Sequence, residues 1–147
     1  MSYVAIHRNV FEAEMTAMGF TIVNLPGTFE LVYERKIPNT DYGVRIFSSI
    51  DKHTAISRDV GADAIRVTLW NYAKNRPIKM DRRVNRTGTE KGVLERTRER
   101  ARELWGWCTK HQCSCGHGIM VERSGKNGKF LGCSNYPDCT NTAPIKE

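Results

Sequence analysis

The sequence lacks cysteine before Cys108, and it lacks any apolar run close to the roughly 20 residues that a membrane-spanning helix requires. Charged side chains interrupt the first residues as far as Glu14, so no secretory leader is expected. No internal repeat and no low-complexity segment is present. These absences lead us to expect a soluble, cytoplasmic protein that does not bind membranes.

The five cysteines are an odd number, and all of them lie between Cys108 and Cys139. Disulfides are rare in a reducing compartment, where closely spaced thiolates more often bind metal. A chain of 147 residues can hold a modest core together with an appendage too small to fold without metal. The clustering therefore predicts a metal site near the C-terminus, the alternative being cysteines that act only as small buried apolar residues.

The net charge of +7 is concentrated in the middle of the chain, where residues 74–104 contain 11 Lys and Arg against 5 Asp and Glu. A concentrated positive field attracts polyanions and accelerates their encounter with the protein. We therefore expect a nucleic-acid-binding face in this region. The alternative is a solvated helix face on which the arginines form ion pairs with neighbouring carboxylates.

The first residues predict a short amphipathic helix. Asn9 is placed to cap it, Glu12 occupies the reciprocal position of a capping box, and Gly19 is placed to end it. Its apolar face would consist of Phe11, Met15 and Met18.

Alternating apolar residues then predict strands at 20–25 and 28–36, joined by a turn at Pro26-Gly27, and further strands at 44–50 and 64–70. The basic segment 77–86 is expected to add an edge strand.

A second helix is predicted between Thr87 and Trp105, with a capping box at Thr87 and Glu90. Its apolar stripe consists of Val93, Leu94, Thr97, Ala101, Leu104 and Trp105, and the arginines of this segment lie mostly outside the stripe. The fold class is therefore α+β: a small antiparallel sheet flanked by two helices. We expect this domain over residues 1–105, a linker over 106–112 and a zinc ribbon over 113–147.

The ribbon prediction rests on two cysteine pairs, Cys113 with Cys115 and Cys133 with Cys139. Between the pairs the sequence reads as a strand at 118–123, a glycine-rich turn at 124–128 and a strand at 129–132. Such a hairpin brings two cysteine turns together around one tetrahedral Zn²⁺ ion. Four thiolates close the coordination sphere, so this zinc is expected to be structural and not catalytic.

The segment CGHGIMVERSGKNGKFLGCSNYPDC, from Cys115 to Cys139, resembles the C4 zinc-finger repeats at the C-terminal end of bacterial type IA DNA topoisomerases. The resemblance covers about a fifth of the chain and implies binding to DNA, particularly to single strands. The family normally has two residues between its first two cysteines, whereas only Ser114 stands between Cys113 and Cys115. Cys113 is the simplest first ligand, followed by His111 and then Cys108.

The resemblance directs attention to cations and aromatics on the ribbon. Arg123, Lys126 and Lys129 can neutralise phosphates, while Phe130 and Tyr136 can stack on bases or form the ribbon's own small core. On the first domain, the basic stretch between Lys74 and Arg86 is expected to continue the patch along the arginines of the second helix. Its candidate contact residues are Arg82, Arg83 and Arg86.

The leading expectation is a non-enzymatic protein that binds single-stranded DNA in replication, recombination or repair. One alternative is a metal-dependent nuclease that uses acidic residues of the long loop 51–63, among them Asp51, Asp59 and Asp63. Another is an adaptor that docks on a replication or repair protein through Tyr136 and Pro137. The oligomeric state is left open, although an exposed strand edge near Pro77 could pair between copies.

Overall fold

The computed structural model describes residues 6–23, 30–49, 64–85 and 88–145. The first domain contains α1 (Arg8–Ala17), β1 (Thr21–Val23), β2 (Glu30–Lys36), β3 (Tyr42–Ser49), β4 (Ala64–Asn71), β5 (Arg76–Asn85) and α2 (Glu90–Lys110). The ribbon contains β6 (Met120–Gly125), β7 (Gly128–Cys133) and β8 (Thr142–Ala143). The predicted α+β class is confirmed.

The first five strands form an antiparallel sheet in chain order, so each strand pairs with the next one along the chain. The predicted pairing of the first two strands is confirmed by the register of Ile22 with Tyr33, although the predicted turn at Pro26-Gly27 lies outside the described residues. β5 is an edge strand, as expected. The register between β4 and β5 shifts between Val67 and Leu69.

Helix α1 begins two residues earlier than predicted, because His7 and not Asn9 is its N-cap. The His7 Nδ1 accepts a hydrogen bond from the Asn9 backbone N–H at 3.1 Å, so the predicted capping box at Asn9 is wrong. Phe11 and Met15 are fully buried, and the Phe11 ring packs edge-on against Tyr33. Gly19 follows the helix with φ +87°, the left-handed conformation typical of a helix end.

Helix α2 begins later and ends later than predicted. Its N-cap is Thr89, whose Oγ1 accepts from the Gly92 N–H at 3.0 Å; the predicted cap Thr87 lies outside the described residues. The helix continues through Lys110, so residues 106–110 are helical where a linker was predicted. The buried stripe on Val93, Leu94, Thr97, Ala101 and Leu104 is confirmed, and Cys108 extends it by one turn.

Both helices pack on the sheet face that carries Tyr33, Ile46 and Val67, and they bury one continuous apolar core with it. Ile119 and Val121 of the ribbon belong to the same core and are 0 % and 3 % exposed. The opposite sheet face also contains buried side chains, where the Arg45 guanidinium lies 4.6 Å from the centre of the Trp70 ring. None of the described helices is long and apolar enough to cross a bilayer.

Trp107 connects the two parts of the molecule. Its indole Nε1–H donates to the Met120 carbonyl oxygen at 2.8 Å, and its ring contacts both the main core and the small apolar cluster of the ribbon. The Met120 N–H in turn donates to the His111 carbonyl oxygen at 2.7 Å. The end of α2 and the start of β6 are therefore fastened to one another by backbone and side-chain hydrogen bonds.

Trp107→Phe is expected to lower the free energy of unfolding by about 1–2 kcal/mol, since the Met120 carbonyl oxygen loses its donor. Urea denaturation followed by circular dichroism measures the change. Trp105→Phe is the matched control, because the Trp105 ring stacks on Arg35 and makes no hydrogen bond with a described residue. Equal stability of Trp107→Phe and the wild-type protein would contradict the proposed connection.

Candidate metal centre and nucleic-acid interface

Two tight turns carry the four ribbon cysteines. The first follows α2, and within it the Gly116 N–H donates to the Cys113 carbonyl oxygen at 3.1 Å. The second follows β7, where the Tyr136 N–H donates to the Cys133 carbonyl oxygen at 3.2 Å and the Cys139 N–H donates to the Asn135 carbonyl oxygen at 3.2 Å. The hairpin of β6 and β7 brings these turns face to face, as the sequence predicted.

The four cysteine sulfurs converge on one point. All lie within 4.8 Å of one another, and the pairs Cys113 with Cys139 and Cys115 with Cys133 are each 3.7 Å apart. Four sulfurs bonded tetrahedrally to one zinc ion at about 2.3 Å would be about 3.8 Å apart. The cluster is therefore compatible with a structural Zn²⁺ bound by four thiolates, as predicted.

Gly118 allows the two turns to approach. A Cβ atom at Gly118 would lie 2.6 Å from the Cys133 Sγ, which is closer than real contacts allow. The adjacent Ile119 N–H donates to the Ser134 Oγ at 2.9 Å, which fastens the first turn to the second. A larger residue at position 118 would therefore displace a metal ligand.

Hydrogen bonds to sulfur orient the ligands. The His117 N–H donates to the Cys115 Sγ and the Asn135 N–H to the Cys133 Sγ, both at 3.4 Å. The Cys113 Sγ accepts a hydrogen bond from a side chain, the Asn141 Nδ2, at 3.2 Å. Asn141 also donates to the Ser114 Oγ, so it braces the shortened first turn; the sequence offered no signal for this role.

The alternative first ligands, His111 and Cys108, do not belong to the sulfur cluster. The His111 ring stacks on Trp107 with centroids 3.8 Å apart, and its Nδ1 lies 3.2 Å from the Trp107 carbonyl oxygen. Cys108 is fully buried in the main core, where burial raises the pKa of its thiol to about 12. Cys113 is therefore the fourth member of the cluster, despite the one-residue spacing.

The thiols of the cluster differ in acidity. Burial raises the pKa values of Cys115 and Cys133. Burial acts in the same direction on Cys113, but hydrogen bonds from the Cys115 backbone and the Asn141 side chain outweigh it and lower the Cys113 pKa to about 6. The Cys113 thiol is therefore ionised more readily than those of Cys115 and Cys133, from which metal binding would displace protons.

Comparison with known families agrees with this geometry. Residues 111–147 match the family described as topoisomerase DNA binding C4 zinc finger. The matched segment contains the four clustered cysteines and both hairpin strands. The resemblance inferred from the sequence is thereby confirmed for this C-terminal segment.

The curated relatives match over the same short length. The chain is 54 % identical over 37 residues to DNA topoisomerase 1 of Thermoplasma acidophilum, which is 24 % of this chain and 5 % of that protein. It is 52 % identical over 38 residues to DNA topoisomerase 1 of Bacillus anthracis, covering 24 % of this chain and 4 % of the relative. It is 53 % identical over 32 residues to the uncharacterized protein YrdD of Escherichia coli, covering 22 % of this chain and 17 % of the relative. No solved structure matches the chain.

The topoisomerase-type hairpin presents its two lysines differently. Gly125 pairs with Gly128, so Lys126 and Asn127 form a two-residue turn, and Lys126 is exposed at its tip. Lys129 is also exposed, but it lies one residue into β7, where it lines a groove beside the hairpin. Lys126 is not among the residues that line this groove.

Arg123 is held within the ribbon. Its Nη2 donates to the Cys133 carbonyl oxygen at 3.2 Å, and its guanidinium carbon lies 5.6 Å from the centre of the Tyr136 ring. Gly132 makes room for it, since a Cβ atom there would lie 2.7 Å from the Arg123 Cδ. Arg123 therefore supports the Tyr136 ring and the second cysteine turn in addition to contributing charge.

A groove of about 1080 Å³ separates the ribbon from one end of the first sheet. Four of the predicted nucleic-acid-binding residues line it: Arg123, Lys129, Phe130 and Tyr136. The wall from the first domain includes Arg76 and Pro77 of β5. Arg76 belongs to the basic stretch that was predicted to bind nucleic acid, whereas Pro77 was not predicted as a contact residue. The Tyr136 side chain is 58 % exposed, so it does not belong to the core of the ribbon.

Among the predicted contact residues of the first domain, Arg83 is not one of the residues that line the groove. Arg82 and Arg83 are on β5, opposite Val67 and Arg66, and Arg83 is exposed; Arg86 lies outside the described residues. The positive patch that was predicted to continue along α2 is weaker than expected, because Arg98 pairs with Glu14 and Arg100 pairs with Glu103. These arginines fit the alternative expectation of a helix face with ion pairs.

One ion pair and one contact between a histidine and a carboxylate join the ribbon to turns of the first domain. Lys74 Nζ lies 3.8 Å from Asp138 Oδ2, and His117 Nδ1 lies 3.4 Å from Asp41 Oδ2. Lys74 lies in the turn after β4 and Asp41 lies in the turn after β2, and both turns are at the same end of the sheet. The ribbon and the first domain therefore touch directly at this end of the sheet.

Proposed function

We propose that the protein binds single-stranded DNA in the groove between β5 and the ribbon. The observation that carries this proposal is the convergence of Arg76 and Lys129 with two aromatic side chains, Phe130 and Tyr136, in one groove. The match of the ribbon to the topoisomerase DNA binding family supports DNA as the ligand. Binding of this kind requires no covalent reaction at any of these residues.

Single strands suit the groove better than a duplex does. Exposed aromatic rings bind nucleic acid by stacking on unpaired bases, which contributes about 1–3 kcal/mol per base. In a duplex the base faces are already stacked on one another and are not available to a ring. The cations beside the rings would neutralise the phosphates of the same strand.

The nuclease alternative receives less support. A nuclease motif of two carboxylates and a strand lysine would have to use Glu34 of β2 together with Asp63 and Lys79. Glu34 accepts hydrogen bonds from Arg45 at 3.1 Å and from the Tyr72 hydroxyl at 3.2 Å, so its carboxylate is already engaged. The acidic loop 51–63 lies outside the described residues. We therefore propose a binding protein that acts in replication, recombination or repair in the cytoplasm, on the nucleoid.

Fluorescence anisotropy with a labelled single strand tests the proposal, with unlabelled duplex DNA and RNA as competitors. Magnesium is included, and the labelled strand is examined afterwards for cleavage. We expect salt-sensitive binding, weaker competition by the duplex and an intact strand. Preferential binding of duplex or of RNA would overturn the single-stranded DNA assignment, and a shortened strand would support the nuclease.

Lys129→Ala is expected to reduce the slope of log affinity against log salt concentration by about 0.7, which corresponds to one phosphate contact with a single strand. Lys126→Ala is the matched control, because Lys126 is also exposed on the same hairpin but is not among the residues that line the groove. Anisotropy titrations at several salt concentrations give both slopes. Equal effects of the two substitutions would indicate attraction to the whole ribbon and not to the groove.

A further inference from the structure

A second concave site lies between the end of α1, the strand β2 and α2. It has a volume of about 240 Å³. Its apolar lining includes Phe20 and Ala101, which are 3 % and 1 % exposed, together with Met18 and the half-buried Trp105 ring. The pocket is large enough for one apolar side chain of a ligand.

Three guanidinium groups surround this apolar floor. Arg35 lies 3.9 Å above the centre of the Trp105 ring and donates to the Met18 carbonyl oxygen at 3.2 Å, which holds it in place. Arg98 pairs with Glu14 at the rim. Arg102 is exposed and forms no ion pair with a described residue. No carboxylate of the described residues lines the pocket itself, so the site has a net positive field over an apolar base.

We propose that this pocket binds a short acidic peptide segment of a partner protein. An apolar side chain of the peptide would enter between Phe20 and Trp105, and its carboxylates would pair with Arg102 and the outer face of Arg35. Arginine suits this role because its planar fork of N–H donors matches the two oxygens of a carboxylate.

The surroundings favour a short peptide over a nucleic acid strand. Glu95, Glu99 and Glu103 are exposed on α2 at four-residue spacing, so they lie in a row beside Arg98 and Arg102. A phosphate backbone leaving the pocket along the helix would meet this row of like charge. A peptide that places one or two carboxylates at the pocket would avoid it.

The pocket is independent of the DNA groove. The two sites share no lining residue, and they lie against different strands of the sheet: β2 is an inner strand and β5 is an edge strand. Both could be occupied at once, so one copy of the protein could join a DNA strand to a partner protein.

A fluorescein-labelled peptide with several aspartates next to a phenylalanine serves as the probe, with anisotropy as the readout on the full-length zinc-loaded protein. We expect Arg102→Gln to weaken peptide binding about tenfold, the effect of losing one charge-assisted contact. Arg100→Gln removes the same charge from an exposed position of α2 outside the pocket, and it should change the affinity less than twofold. Replacing the phenylalanine of the peptide with alanine should also weaken binding.

Three outcomes would overturn the proposal. The first is absence of peptide binding up to about 1 mM, the weak limit of specific association. The second is equal weakening by the two arginine substitutions, which would mean that only overall charge matters. The third is displacement of the peptide by a single-stranded oligonucleotide, which would assign the pocket to nucleic acid. Unchanged DNA binding by Arg102→Gln would show that the groove functions separately.

Discussion

Cys133→Ser is expected to abolish zinc binding and to unfold the ribbon while the first domain remains folded. Cys133 is 1 % exposed and its sulfur lies 3.7 Å from that of Cys115, so a hydroxyl in its place leaves three thiolates and an incomplete tetrahedron. A structural zinc ion supplies about 10–16 kcal/mol to a small module of this kind, far more than its own core could provide. Metal content by mass spectrometry and amide signals by NMR measure both effects.

Unfolding of the ribbon should lower the stability of the first domain without unfolding it. Ile119 and Val121 are buried in the main core, and their release would remove about 1.5–3 kcal/mol of burial each. The helices and the five-stranded sheet still enclose the remaining core residues. We therefore expect a lower but still cooperative denaturation midpoint for residues 1–110, together with a roughly hundredfold loss of DNA affinity as Phe130 and Tyr136 lose their positions.

Cys108→Ala is the control for this prediction. Cys108 is fully buried in the main core, away from the sulfur cluster, so the variant should retain one zinc ion per chain and lose about 1 kcal/mol of stability through packing alone. Full zinc content in Cys133→Ser, or zinc loss in Cys108→Ala, would show that the assigned ligand set is wrong.

The strands of the first domain were predictable because one sheet face is regularly apolar. Val44 and Ile46 alternate with residues of the other face, as Val67 and Leu69 do on β4, so period two was visible in the sequence. The sequence pattern did not indicate that side chains on the other face of the sheet are buried as well. Arg45 and Thr68 read as exposed polar residues, yet they are 9 % and 0 % exposed because their surroundings depend on neighbouring strands and not on local pattern.

The helix ends show the limit of local rules. Thr87, Thr89 and Asn9 are all plausible caps by residue type, and His7 is a less common one, so tertiary geometry decided between them. Gly106 suggested a break after Trp105. The helix continues because Cys108 is buried and Trp107 is half-buried one turn beyond Leu104, which outweighs the low helix propensity of one glycine.

The metal ligands were predictable from spacing, but the groove was not. Cysteine pairs and a glycine-rich hairpin are local signals, and they indicated the ribbon and its cluster. The approach of Arg76 to Lys129 depends on how the ribbon packs against the first domain through Trp107 and Ile119. The third ribbon strand, β8, was also missed, since its two residues are too short to show any period.

Tyr136→Ala is expected to weaken binding of single-stranded DNA by about 5- to 150-fold, the loss of one stacked base. The ring is 58 % exposed at the mouth of the groove, supported from behind by Arg123, so it is available to a ligand and contributes little to the core of the ribbon. Zinc content and thermal stability should therefore remain close to those of the wild-type protein. Anisotropy titration with a labelled single strand measures the affinity.

Tyr136→Phe separates stacking from other roles of this residue. Phenylalanine retains the aromatic face and loses only the hydroxyl, so its affinity for DNA should stay within about twofold of wild type if stacking is the main contribution. Tyr136→Leu keeps apolar bulk without an aromatic face and should bind as weakly as the alanine variant. Wild-type affinity in the leucine variant would mean that the side chain fills space beside the second cysteine turn, and the groove would then have to bind DNA through its cations alone.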